Sequence, residues 1–294
     1  HALTLAPNIP QIWLRHANDR FFHGDTHAAL RSAAHVLATV PDYDATLFAT
    51  FRRLAIPTPQ ILAAIGTNPR ATRAFAKNVW ERNEPTDAQL LWNHLTTHNF
   101  TDDSLAVSYL TALLRLHLPD TAARDWAAYL GPKRRPPDYP TPNAIFNASF
   151  ESDPTGAPLD WRITPHPAAD TARDPSTSFH GRASLRIRFN GSENLSYAHL
   201  AQAVPVHPGP YRFTAHLRTL NLTTNEGLRL QLSDAQNPAR FSYHSDPYTG
   251  THPWTPIALN LLIPNTTRLL NIRLVRHPST KFDNKISGTA WLDA

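Results

Sequence analysis

Two histidines one helical turn apart, His94 and His98, form the most metal-like spacing in this sequence. An i, i+4 pair on a helix can hold an ion, but no Glu stands beside His94 as in zinc peptidases, and no third ligand follows at a telling distance. In a chain with 16 His, two exposed helix residues account for the pair more simply. His23 and His27 repeat the spacing but straddle the turn residues Gly24 and Asp25. There is no Gly-x-Ser-x-Gly elbow, no glycine-rich phosphate loop and no His-Glu-x-x-His. Glycoside hydrolysis needs two facing carboxylates, and the three Glu of the second half, Glu151, Glu193 and Glu226, stand in no recognisable pairing. The residue types point away from an enzyme and toward binding.

Small-ligand sites combine aromatic platforms, which stack on apolar faces, with a few planar polar groups that fix orientation. Residues of those types are Tyr197, Gln202, Arg218, Arg229, Gln231, Tyr243, Tyr248 and Trp254. The aromatics of the run FSYHSDPYTGTHPW stand out, because loops carry function while strand aromatics usually fill cores. Trp161 and Trp291 are expected in the core. The Arg and Gln residues cannot all share a face if the strands divide between two sheets, and some would then dock the helical half.

The elements that must position these residues change character midway. From Ile9 to Leu130 the apolar pattern is helical, with runs near 43–54, 58–65, 68–81, 86–98, 103–117 and 120–130 after an opening pair. Gly131–Asn143 holds five prolines and three consecutive basic residues, and reads as a helix stop followed by a stiff, extended spacer. Beyond it the period is two. Leu185, Ile187 and Phe189 alternate with polar neighbours, as do Leu228, Leu230 and Leu232, and Leu270, Ile272 and Leu274. With 145–150, 159–164, 196–206, 255–262 and 287–293, about nine strands result, which spells an antiparallel sandwich. The expected division is a helical domain over 1–131, a proline-rich linker over 132–143 and a sandwich over 144–294.

At 294 residues the chain is long enough for two cores, and 41% hydrophobic against 17% charged residues makes it globular. No apolar run spans a membrane. The start at His1 and the absence of Met mark a processed or excised piece, which leaves room for a leader or anchor upstream of His1. Zero Cys excludes disulfides and thiolate chemistry and agrees with an exported protein. The net charge of +5 is dispersed, with 11 basic against 11 acidic residues over 1–131, 3 against 1 over 132–143, and 14 against 11 over 144–294. Without a basic tail or stripe, nucleic acid is not an expected partner.

Trp13, Ala17, Gly24-Asp25, Ala29, Ala33 and Pro41 resemble a tetratricopeptide repeat in their spacing, although His16 and Arg20 stand where that family usually has apolar or aromatic residues. The resemblance implies a degenerate helical solenoid that serves as a scaffold for protein contact. Asn147…Phe150-Glu151, Trp161, His180-Gly181…Ser184-Leu185, Gln202–Val206 with Pro208–Tyr211, Arg218, Trp254 and Gly288…Trp291-Leu292-Asp293 resemble the calcium-containing jelly-roll carbohydrate-binding modules. That resemblance implies a jelly roll, a polysaccharide or oligosaccharide ligand, and a structural calcium held by Glu151 and Asp293 between the first and last strands. The combination is similar to exported bacterial proteins linked to surface polysaccharide, which implies a periplasmic or cell-envelope location. A protein-contact scaffold whose sandwich has no sugar site is the alternative.

Overall fold

The first two helices meet through small side chains. Ala17 of α1 (Pro10–Phe22) and Ala29 and Ala33 of α2 (Thr26–Thr39) are fully buried, and the Trp13 ring stacks on His35 at 4.3 Å. Asp25 caps α2 by accepting from the Ala28 amide at 3.0 Å, which satisfies one of the helix's free donors. His16 and Arg20 form a polar chain: Arg20 Nε donates to His16 Nε2 at 3.3 Å, and His16 Nδ1 lies 2.8 Å from Ser32 Oγ.

A 3-10 turn (Pro41–Tyr43) leads to α3 (Asp44–Arg53), α4 (Thr58–Ile65), α5 (Pro69–Trp80), α6 (Pro85–Thr97) and α7 (Asp103–Arg115). These fall within a residue or two of the helical runs expected from periodicity. A buried aromatic group holds the later ones, with Trp92 and Tyr109 stacked at 4.5 Å and Trp80 beside both. The computed structural model describes residues 8–82, 85–141 and 145–294, and no described helix is long and apolar enough to cross a membrane.

The chain divides into two compact units at Leu118/Pro119. The last described helix, α8 (Pro119–Arg134), thus belongs with the sandwich and not with the seven described helices before it. Its Trp126 is buried and lies 6.2 Å from the Phe146 ring, and Asp120 is 3.8 Å from His207. At Gly131, φ 64° and ψ 178°, the backbone leaves helical geometry, so the regular helix stops there as expected and only a short further turn follows to Arg134. The expected extended spacer is absent over the described residues 132–141. Tyr139 is instead buried, edge-on to Phe146 at 5.1 Å, and burial with the nearby Asp160 charge pushes its hydroxyl pKa up. Asn143, with the rest of 142–144, lies outside the described residues.

Ten strands follow: β1 (Arg162–Ile163), β2 (Ala169–Asp174), β3 (Ser184–Asn190), β4 (Tyr197–Pro205), β5 (Gly209–Leu222), β6 (Arg229–Asp234), β7 (Ser242–His244), β8 (Gly250–Ile263), β9 (Leu269–Arg276) and β10 (Ser287–Asp293). They make two five-stranded antiparallel sheets, β1-β4-β9-β6-β7 and β2-β3-β10-β5-β8. Leu230, Leu232, Ile272 and Leu274 of the first sheet and Ile187, Phe189, Leu217 and Leu292 of the second share one buried core. The alternation read from sequence is the alternation observed.

The strand expected at 145–150 is not formed. Asn147 and Phe150 both take φ 50°, and the Asn147 amide closes a turn by accepting from Ser152 N at 3.1 Å and donating to Ser152 O at 2.8 Å. The turn plugs one end of the sandwich: Phe150 is fully buried 5.2 Å from Trp161, whose Nε1 donates to Asn147 O at 3.2 Å. Gln202 completes the plug. Fully buried, its Nε2 donates to Phe146 O at 2.8 Å and Leu159 O at 3.1 Å. Replacing Gln202 with Leu removes both bonds and leaves two carbonyls without that donor, so thermal or urea unfolding should show a loss of about 2–4 kcal/mol. A change below about 0.5 kcal/mol, the range of an unremarkable surface substitution, would mean that Gln202 does not hold the plug.

Candidate functional site

The outer face of the first sheet carries an ordered set of polar side chains. Because Leu230, Leu232, Ile272 and Leu274 point inward, Arg229, Gln231 and Ser233 of β6 and Asn271 and Arg273 of β9 point outward. Strand register places Arg162, Ala201, Arg273, Gln231 and His244 directly opposite one another across all five strands. The next row is Ala203, Asn271, Ser233 and Ser242. With strands about 4.8 Å apart, the longer row is about 19 Å across. Alanine and serine keep parts of this face low between the longer Arg, Gln and His side chains.

Few of these groups are satisfied by the protein itself. Gln231 Nε2 lies 3.1 Å from His244 Nε2, Ser242 Oγ is 3.2 Å from that nitrogen, and Arg229 pairs with Glu226 at 2.8 Å. Arg273 makes no hydrogen bond or ion pair among the described residues. Arg229 Nε, Ser233 Oγ, Asn271 Oδ1 and Arg273 Nε are shut off from solvent without a partner, four of ten such atoms in the described chain. A buried polar atom without a partner costs about 1–3 kcal/mol, and the clustering of four of them sets this face apart from the rest of the sandwich. The face is also electropositive. His244 has its pKa lowered from 6.5 by burial first, then by His277, Arg229 and Arg273.

The expected sugar-contact residues separate. Arg229 and Gln231 lie on this face. Tyr248 is half-buried nearby, paired through its backbone with Leu228 and edge-on to His252 at 6.0 Å. Tyr243, 40% exposed on β7, lines an open hollow of about 540 Å³ with Tyr211, Arg212 and Asn260. Arg218 and Trp254 sit on the second sheet and its adjoining loop contacts. Arg218 lies over the Trp291 ring at 5.2 Å, and Trp254 is 6.0 Å from Phe179, which stacks on His216 at 3.6 Å. Tyr197 and Gln202 are corrections: both are buried and cannot meet a ligand. Tyr197 has its hydroxyl pKa pushed up to about 12 by burial, and Gln202 holds the plug. Trp161 and Trp291 are both buried as expected, Trp291 outside the cluster shared by the two sheets, with Arg218 over its ring and its Nε1 donating to Asp174 at 2.8 Å. Sequence reasoning missed Arg273, Asn271, Ser233 and His244, although the first three stand at polar positions of an apolar alternation.

Glu151 and Asp293 converge on one loop, between β2 and β3. Asp293, fully buried, accepts from the amides of Phe179 at 2.7 Å and His180 at 3.0 Å through Oδ2, and from Ala294 at 2.8 Å through Oδ1. Glu151 accepts from the Arg182 amide at 2.6 Å and its Nε at 3.3 Å, bonds that hold its pKa below the usual carboxylate value. Gly181 sits between them at φ 68°, and a Cβ there would stand 2.2 Å from Glu151 Oε1. A calcium cage needs six to eight oxygen ligands. These carboxylates face N–H donors, whose positive ends repel a cation, and no group of three acidic or histidine residues gathers among the described residues. The donor set does not fit calcium. His94 and His98 likewise bond carbonyls, Gly66 O at 2.9 Å and His94 O at 2.8 Å.

No family model matches the chain, and no curated protein sequence matches it. Over its C-terminal half the chain is similar to solved carbohydrate-binding modules. TmCBM61, solved with beta-1,4-galactotriose, is 18% identical over 52% of this chain and 95% of that one, at a TM-score of 0.35. A family 16 carbohydrate binding module is 16% identical over 52% and 96%, at 0.37. The CBM22-1 xylan-binding domain of Xyn10C from Paenibacillus barcinonensis is 12% identical over 50% and 87%, at 0.33. At these identities and TM-scores none of the likenesses says what this chain binds.

Two outcomes follow from the geometry. Melting in calcium and in chelator should coincide, whereas Asp293→Asn should lower stability by about 2–4 kcal/mol, since the amide exchanges an acceptor oxygen for a donor facing N–H groups. A calcium-dependent rise in Tm would instead require the loop to turn carbonyls toward the two acids. In an NMR titration the His244 ring should show a midpoint below 6.5, raised by Arg273→Gln. The sign for stability is a loss as pH falls through 6.5, levelling off below the folded midpoint, because the unfolded state takes the proton first.

Proposed function

We propose that this is a non-catalytic carbohydrate-binding protein, with its saccharide site on the outer face of the first sheet. The observation that carries this is the register of planar polar groups, Arg273, Gln231 and His244 in one row and Asn271, Ser233 and Ser242 in the next, with several of their polar atoms unpartnered. Hydroxyls spaced along a sugar chain are both donors and acceptors, and they match such a mixed array. Support for a non-catalytic role comes from the three Glu of the sandwich. Glu151 accepts from the Arg182 amide and holds a loop, Glu193 lies 3.6 Å from His166 and Glu226 pairs with Arg229, so each is engaged by a basic residue of the fold.

In the same proposal the helical unit is a tetratricopeptide-like scaffold for a protein partner, and the protein works in the bacterial envelope. The small residues where α1 meets α2 support the first point, and the absence of Cys agrees with the second.

Glycan-array screening followed by calorimetry tests the saccharide site. Gln231→Ala and Asn271→Ala should each weaken binding by about 1–3 kcal/mol without lowering Tm, and Trp254→Ala should leave affinity unchanged. Loss of binding with Trp254→Ala alone would move the site to the Phe179–Trp254 side. Absence of binding to any glycan, with capture of a protein partner by both units, would favour the scaffold alternative.

A further inference from the structure

We infer, resting on the saccharide face proposed above, that its ligand is an acidic saccharide of the uronate class, with a sugar carboxylate seated against Arg273. No outward strand position of this face carries an acid, whereas Arg162, Arg229, Arg273 and His244 all stand on it and His277 stacks near His244 at 6.3 Å. The one acid bonded to the group, Glu226, is occupied by Arg229 at 2.8 Å. Arg273 differs from Arg229, which is paired with Glu226, and from Arg276. Arg276 beside it on β9 is 1% exposed yet is ringed by acceptors, Glu226 O at 2.8 Å, Asn284 O at 3.1 Å and Thr224 Oγ1 at 3.2 Å among them. Arg273 has none, and its Nε has lost water as well.

A half-buried guanidinium in that condition is short of both hydrogen bonds and counter-charge. Neutral hydroxyls supply the first only. A carboxylate supplies both, because its two oxygens match the planar fork of the guanidinium in a bidentate pair. The residues around Arg273 leave a place for it: Ala201 opposite on β4 has no side chain beyond Cβ, and Gln231 opposite on β6 offers an amide donor to the sugar. Arg162 sets further positive charge at the end of the same row, so a chain with repeated carboxylates meets more than one cation.

The test is calorimetry of the full chain with oligogalacturonate, oligoglucuronate and oligomannuronate, each beside its methyl ester, which keeps the ring and removes the charge. At least one acid form should bind about tenfold or more tightly than its ester, as expected for a charge-assisted bidentate pair. The gap should narrow between about 50 and about 200 mM salt. Arg273→Gln should abolish the gap with Tm unchanged, and Arg273→Lys should keep part of it. Equal affinity for acid and ester would overturn the inference while leaving the saccharide site in place. Binding of a polyphosphate or oligonucleotide of equal charge as tightly as the uronate would also overturn it, as the mark of a general anion surface. Failure of every glycan, charged or neutral, would overturn the saccharide site itself.

Discussion

Four aspartates lie buried in the sandwich, and each is ringed by N–H or O–H donors from a loop. Asp160 accepts from Thr155 and the Trp161 amide, and Asp174 from Ser176 and the Trp291 indole. Asp234 accepts from Thr267, Arg240 and the amides of Gln236 and Asn237, and Asp293 from Phe179 and His180. A carboxylate taken from water must find donors or protonate. For Asp174 and Asp234 the donors win over burial and the pKa falls, while for Asp160 burial wins and the pKa rises. Loops that would otherwise sample many conformations are fixed by this requirement, and the sheets they join inherit that order.

The same requirement gives the outer face of the first sheet its meaning. Where the protein needs a polar group internally, it supplies partners, as the five acceptors around Arg276 show. On the outer face Arg273, Asn271 and Ser233 are held in strand register but given no partner at the buried atoms. Their order is created by backbone pairing, so a ligand would meet groups already in position and lose little conformational entropy in them.

Alternation made the sheets legible in sequence, and the same alternation made Arg229 and Gln231 visible as outward residues. It failed where its assumptions fail. β2, with the sequence ADTARD, carries no large apolar side chain, and β7 is three exposed residues, so neither shows a pattern. In β4, alanines flank Gln202 on both sides, and small residues give no clue to which face is inside; Gln202 and Tyr197 were therefore open to being read as outward. The 145–150 segment opens on the apolar pair Ile145-Phe146 and closes on Phe150, which suggests a strand, yet two residues at positive φ and one side-chain clasp fold it into a turn. Some partners of the buried aspartates are one to three residues away, but Trp291 of Asp174, Thr267 of Asp234 and Phe179 of Asp293 are 33 to 117 residues away, a distance over which spacing carries no signal.

The kinked helix α8 bears on how such a chain could be assembled in evolution. The proline run invites a cut after Gly131, yet Trp126 and Phe146 lie in the same compact unit, and that unit begins at Pro119. A recombination event at the proline run would separate a sandwich from the helix that belongs to its own fold and leave the apolar side of that helix on the other fragment. Exchange at Leu118/Pro119 moves each piece whole. The unit that would travel whole is a helix plus two sheets, opening at Pro119, the helix's first residue.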